Sequence, residues 1–249
     1  MGPGFTNSSS IPEYLEIPES AQVMILESEP ATREYEGFTP TSFYALIDFD
    51  LEVTIAGEYY FAVYETDEGG AYSIALGYVE SFTFEEWLLV PFSVMTIHQW
   101  NGQSLPIILA PMVATILLSI AFLLVRQKEF PELRYPFSWI GAIGAIMFIG
   151  SGVTIFYQMT ISALFAISPQ IIISIIFGLI PLLLGFFTLQ IVLTDDWHRL
   201  RSRRVRLLLY GLIAPFLWAG LFVGPVLVIV STLFASIGVS RSASSSING

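Results

Sequence analysis

Four stretches of this chain, roughly 105–125, 137–157, 169–193 and 206–236, run about twenty residues or more without an ionisable side chain, Arg206 at the start of the fourth excepted. A hydrocarbon layer about 30 Å thick is crossed by a helix of about 20 apolar residues. A helix in a soluble core keeps a polar face towards water, and these stretches have none. Their glutamines, Gln158, Gln170 and Gln190, lie towards the margins. The pattern predicts a membrane protein with four transmembrane helices.

The loops set an orientation. Arg126, Lys128 and Arg134 lie between the first two stretches, and Arg199, Arg201, Arg203, Arg204 and Arg206 between the last two. The connection at 159–168 carries no charge. Short loops rich in Lys and Arg stay on the cytoplasmic side. This predicts a multi-pass protein of the plasma membrane with its arginine loops in the cytoplasm and both termini outside. Trp87, Trp100 and Tyr157 fall at the expected outer ends, and Tyr135, Trp139, Trp197 and Tyr210 at the inner ones, as interfacial aromatic belts require. The arginines of the second loop are topology determinants and candidate contacts for anionic lipid headgroups, each worth about 1 kcal/mol near such a surface.

The part before the first stretch has another character. Residues 1–104 hold seventeen of the twenty-one acidic residues and one basic residue, Arg33, while the remainder carries four acids and nine bases. A net charge of −11 argues against nucleic acid, whose ligands need clustered cations to displace phosphate counterions. From Phe43 to Ile55 apolar residues alternate with polar ones, and Tyr72, Ile74, Leu76 and Tyr78 alternate again after Asp67-Glu68-Gly69-Gly70. Period two marks half-buried strands, and glycine supplies the positive φ of a hairpin turn. With an earlier strand at 22–27, these segments predict a small antiparallel β-sandwich over 21–82, after a flexible start at 1–20.

The stretch 56–64 (AGEYYFAVY), followed by 69–76 (GGAYSIAL), resembles the closing hairpin of bacterial and archaeal pre-peptidase C-terminal (PPC-type) domains. Those are small extracytoplasmic β-sandwiches attached to secreted enzymes or surface proteins. The resemblance implies an outward-facing binding or scaffolding module that brings no catalytic residues, and it does not extend to the apolar stretches.

Thr83 and Glu86 have the spacing of a capping box, which predicts a short helix from Phe84 to about Val90. The segment 83–104 reads as an interfacial elbow. Residues 105–237 form the membrane domain, and 238–249 a Ser-rich tail. Gly220 with Gly224, and Gly141 with Ala145, are small-residue pairs at helix-packing spacing, fitting contacts within the chain or a dimer face. Pro181, Pro215 and Pro225 are expected to bend the helices that hold them.

Chemistry-bearing residues are sparse. Asp48, Asp50 and Glu52 share one face of the expected strand, either as a solvated polar face or as ligands for calcium, a cation that takes six to eight oxygens. His98 is expected at the outer surface beside Trp100 and His198 in a cytoplasmic loop, so the two cannot share a metal. Asp195 and Asp196 beside Arg199 read as surface ion pairs. There is no cysteine, which removes disulfides, thiolate catalysis and iron–sulfur clusters. Asn7-Ser8-Ser9 is a glycosylation sequon, and Met1 to Thr6 fits a myristoylation pattern in form. No nucleophile–base or cofactor constellation is present. The expectation is a non-catalytic structural, accessory or interaction subunit that requires no cofactor. Its partners would be the lipid bilayer and other membrane subunits or further copies of itself. A channel or carrier working through backbone and Ser/Thr groups, or a ligand-binding sensor, are the alternatives.

Overall fold

Three helices carry the membrane region. They are α2 (Leu105–Val125), α3 (Pro136–Ala163) and α4 (Ile171–Leu193), each long and apolar enough to cross a membrane. The computed structural model describes residues 1, 11, 13–18, 21–27, 31–64, 70–77 and 81–245, with side chains described as far as residue 237. Before the three lies α1 (Phe84–Trp100), and after them come α5 (Arg201–Ile213) and α6 (Val223–Ser245). Two 3-10 turns at Gln127–Glu129 and Pro131–Arg134 join α2 to α3.

α3 is the axis of this region. Its neighbours approach so closely that side chains are missing where they cross: a Cβ on Gly152 would lie 2.6 Å from the Gly178 carbonyl oxygen, and one on Gly144 2.7 Å from that of Gly224. Van der Waals contact between backbones replaces the hydrophobic drive that lipid does not supply. Gly141 and Ala145, paired by spacing, serve two different neighbours. Gly141 faces Ser231 of α6 and Val192 of α4, while the carbonyl of Ala145 faces Gly185 of α4.

The expected fourth span, 206–236, is two helices. α5 begins earlier, at Arg201, and ends at Ile213. Pro215 has no amide hydrogen to continue it, so a 3-10 turn, Ala214–Leu217, follows. Trp218, Gly220, Leu221 and Phe222 then take positive φ values of 54°, 77°, 49° and 62°, and the chain turns back into α6. Pro225 sits in the first turn of α6, where a proline costs no hydrogen bond. Gly220 and Gly224 are therefore not two rungs of one helix. Both press on the ring of Phe148, whose side chain is fully buried, and the Ser151 hydroxyl accepts from the Gly220 amide at 2.8 Å. Of the three prolines expected to bend spans, Pro181 lies inside a continuous α4.

This reversal also sets the direction of α6. Gly144 and Gly141 of α3 face Gly224/Val228 and Ser231 of α6 in that order, and the Ser231 hydroxyl donates to the Phe137 carbonyl at 2.7 Å. α6 thus runs antiparallel to α3, back to the end where α3 begins. The C-terminus, expected opposite the arginine loops, follows a helix that returns to their end of the bundle.

At the other end of α3 a hairpin tip is seated. β1 (Arg33–Glu36) and β2 (Thr41–Tyr44) form a two-stranded sheet. Tyr35 Oη lies 2.6 Å from Ser174 Oγ, which itself donates to the Gly37 carbonyl at 2.6 Å. The Gly37 amide donates to Gln170 Oε1 at 3.1 Å, and Ser162 Oγ to the Pro40 carbonyl at 2.7 Å. Asn101 Nδ2 donates to Thr41 Oγ1. Gln103 and Gln158 exchange two amide bonds of 2.9 Å.

The chain divides into two units, residues 1–34 with 43–75, and residues 35–42 with 76–249. In the first, Arg33 lies over the Tyr44 ring at 5.1 Å, and Tyr14 meets Tyr64 edge-on. Among the described residues of 21–82 the expected sandwich reduces to the β1–β2 pair. Residues 45–55 and 59–64 lie outside any strand. Alternation says which side chains share a face, whereas a strand also needs a neighbour to complete its ladder. The turn at 67–69, Tyr78 and the sequon lie outside the described residues.

Candidate functional site at the basic end of the bundle

The residues that could do chemistry gather where α3 begins. The tight linker between α2 and α3, with Pro131 opening a 3-10 turn, turns Glu132 inward, and its side chain is 2% exposed. The loop after α4 brings Asp195-Asp196-Trp197-His198 against it. Glu132 Oε2 lies 3.0 Å from His198 Nδ1, and Oε1 accepts from the Asp196 amide at 2.9 Å. Asp196 takes φ 53°, a left-handed conformation that Asp and Asn tolerate better than other non-glycine residues. One carboxylate thus ties the two basic loops together.

Aromatic rings enclose the pair. The His198 ring is 4.9 Å from Tyr135, 5.4 Å from Phe137 and 6.3 Å from Trp197. Trp197 is fully buried and donates from Nε1 to Ser138 Oγ at 3.0 Å. Arg134 stacks over Tyr135. Asp196 reaches outward, where Oδ1 meets Arg199 Nε at 3.2 Å. Glu132, Asp196 and His198 each offer one ligating atom, all within 4.8 Å of one another, the one such group of three among the described residues.

The arginines of the second loop are spread over this end. Arg199 pairs with Asp196, and Arg203 Nη1 donates to the Asp195 carbonyl at 2.8 Å. Arg201, Arg203, Arg204 and Arg206 lie on α5 rather than in a loop, at a helix start where the macrodipole disfavours cations. Arg204 Nε is buried without a hydrogen-bond partner. Beside this end, Phe130, Phe186, Leu189, Gln190, Leu193 and Thr194 line an open groove of about 320 Å³.

Other candidates fare differently. Asp48, Asp50 and Glu52 are exposed and lie outside any strand, so the shared strand face that would align them is missing. His98 is buried at 3% exposure rather than on the outer surface, and burial pushes it down to about 4. The capping box is present: Glu86 N–H donates to Thr83 Oγ1 at 3.2 Å and Thr83 N–H to Glu86 Oε2 at 2.8 Å. The α1 helix it opens continues well past Val90, to Trp100. Glu132 carried no signal in the sequence beyond its place in a basic loop. The juxtaposed acids and imidazole of 195–198 were legible, but not their partner.

Comparison with known protein families, with curated proteins and with solved structures gives no match.

Proposed function

We propose that this chain is a non-catalytic accessory or interaction subunit of a membrane assembly, held in the bilayer by its helical bundle. The observation that carries this reading is the backbone-to-backbone packing of α3. At Gly144, Gly152 and Gly185 the neighbouring carbonyls stand where a Cβ would be. This leaves little room for a polar pathway between those helices. No charged residue lies in α2, α3 or α4, whereas ion and proton paths place ionisable groups inside the spans. The outer faces of these helices carry exposed Leu, Ile and Phe, a surface for lipid or for another subunit's helices.

In this reading the basic end faces the cytoplasm, the Tyr35–Ser42 tip faces outward, and the tail after α6 lies on the cytoplasmic side. The exposed Arg201 and Arg206 fit lipid phosphate oxygens at the inner leaflet. The chain has no cysteine, so single substitutions report topology cleanly. Lys128→Cys and Arg241→Cys should react with a membrane-impermeant maleimide only after the cells are opened, and Ser104→Cys in intact cells. Labelling of Arg241→Cys in intact cells sinks this topology.

The break between α5 and α6 favours a second reading, since interrupted helices line the pathways of many carriers. Here the amides of Val223, Gly224 and Val226 are already bonded to Leu221, Gly220 and Phe222, which leaves fewer groups to hold a substrate. Purification in mild detergent and reconstitution into liposomes separate the two. Co-purifying subunits or a defined oligomer, with flux no greater than from empty vesicles, support the accessory reading. Ion or solute flux above that background supports the carrier.

A further inference from the structure

We propose that Glu132, Asp196 and His198 form a binding site for one divalent first-row cation, zinc fitting the donor set best. Two of the three ligand atoms stand at the spacing of ligands around a single ion, and the third comes into reach by a rotation of the exposed Asp196 side chain. Bonds of about 2.0–2.2 Å set at tetrahedral to right angles place neighbouring ligand atoms about 3.0–3.4 Å apart. His198 Nδ1 and Glu132 Oε2 are 3.0 Å apart, and the Asp196 carboxylate lies within 4.8 Å of both.

The donors select the ion. One imidazole with two carboxylates suits zinc and its first-row neighbours, while magnesium and calcium prefer oxygen alone. Two negative charges balance a divalent cation, and the imidazole binds as its neutral form. Ligation through Nδ1 uses the neutral tautomer that carries its proton on Nε2, so the ion replaces the contact between Nδ1 and Glu132 Oε2 and the imidazole stays neutral. Glu132 stays oriented meanwhile, because its other oxygen accepts from the Asp196 amide, the kind of outer support that metal ligands require.

Access and exclusion are both provided. Glu132 and His198 are buried under Tyr135, Phe137 and Trp197, whereas the Asp196 side chain is 54% exposed. Asp196 is held on the solvent side by an exposed contact to Arg199, and exposed pairs of this kind contribute little. Exchanging that partner for the ion closes the site. Because Glu132 and His198 come from different loops, an ion there ties together the two connections at the basic end. The site stands whether or not the chain serves as an accessory subunit.

The test uses the full chain in detergent, stripped with a chelator and titrated with zinc by calorimetry. Asp196→Asn is the informative variant. It keeps the backbone amide that Glu132 accepts from and a residue type that tolerates positive φ, so its metal-free thermal unfolding should match wild type. We expect one zinc per wild-type chain and at least about a tenfold weaker Kd in Asp196→Asn. Cobalt in place of zinc should give a visible spectrum with the nitrogen ligand's signature in wild type. Wild-type protein that takes up no zinc, or no more than Asp196→Asn, overturns the site. So does uptake by Glu132→Gln equal to wild type.

Discussion

A Cβ added to Gly185 would lie 2.7 Å from the carbonyl oxygen of Ala145 and equally close to the backbone nitrogen of Ile149. The obstacle is the backbone of α3, met at Ala145 and again at Ile149, which cannot rotate away as a side chain tip would. Gly185→Ala should therefore push α3 and α4 apart, lowering stability by about 2–3 kcal/mol. Thermal unfolding in detergent measures this. A variant as stable as wild type would mean that the two helices do not touch there.

Ser174 occupies the opposite end of the bundle as a two-way link, meeting the Tyr35 hydroxyl and donating to the Gly37 carbonyl. Both groups lose their partner in Ser174→Ala, and a buried polar group left unpaired costs about 1–3 kcal/mol. The amides of residues 35–42 should exchange with deuterium faster in the variant, while those in the middle of α3 stay protected. Unchanged exchange at the tip would show that the seat is held by other contacts.

His98 makes stability depend on pH in a defined direction. Its folded value, about 4, lies below the unfolded value of about 6.5, so in that interval the unfolded chain binds the extra proton. Stability from this group is complete above about pH 6.5 and falls as pH drops towards about 4, by at most about 3 kcal/mol. His98→Gln should remove that component. Comparing the two proteins across pH 7 to 4 isolates it from the carboxylates, and parallel curves would refute it.

The first turn of α1 depends on the Thr83–Glu86 box. Thr83→Ala should cost about 1 kcal/mol and appear as faster amide exchange at Glu85 to Leu88, with little change in α2. Equal protection in both proteins would mean that tertiary packing, including the contact of Trp87 with Trp218 at 4.5 Å, already suffices.

α2 could be read from composition to the residue, since 105–125 is both the expected stretch and the observed helix, and α4 differs from its expected range by only two residues at one end. The reason is local: ionised groups and unpaired backbone are excluded from hydrocarbon, so an uncharged stretch of sufficient length becomes a helix whatever its neighbours do. The cap at Thr83 was legible for the same reason, because it joins groups three residues apart.

Relations between distant segments were not written locally. The prolines at 215 and 225 announced a disturbance, yet only packing on Phe148 and Ser151 decided that the chain reverses at Gly220. Alternating residues after Phe43 specified faces, and whether those residues found ladder partners depended on other strands. Glu132 and His198 stand sixty-six positions apart. Sequence placed both on one side of the membrane, but their meeting follows from how α3 and α4 cross, and that crossing is set by glycines whose partners only the folded chain supplies.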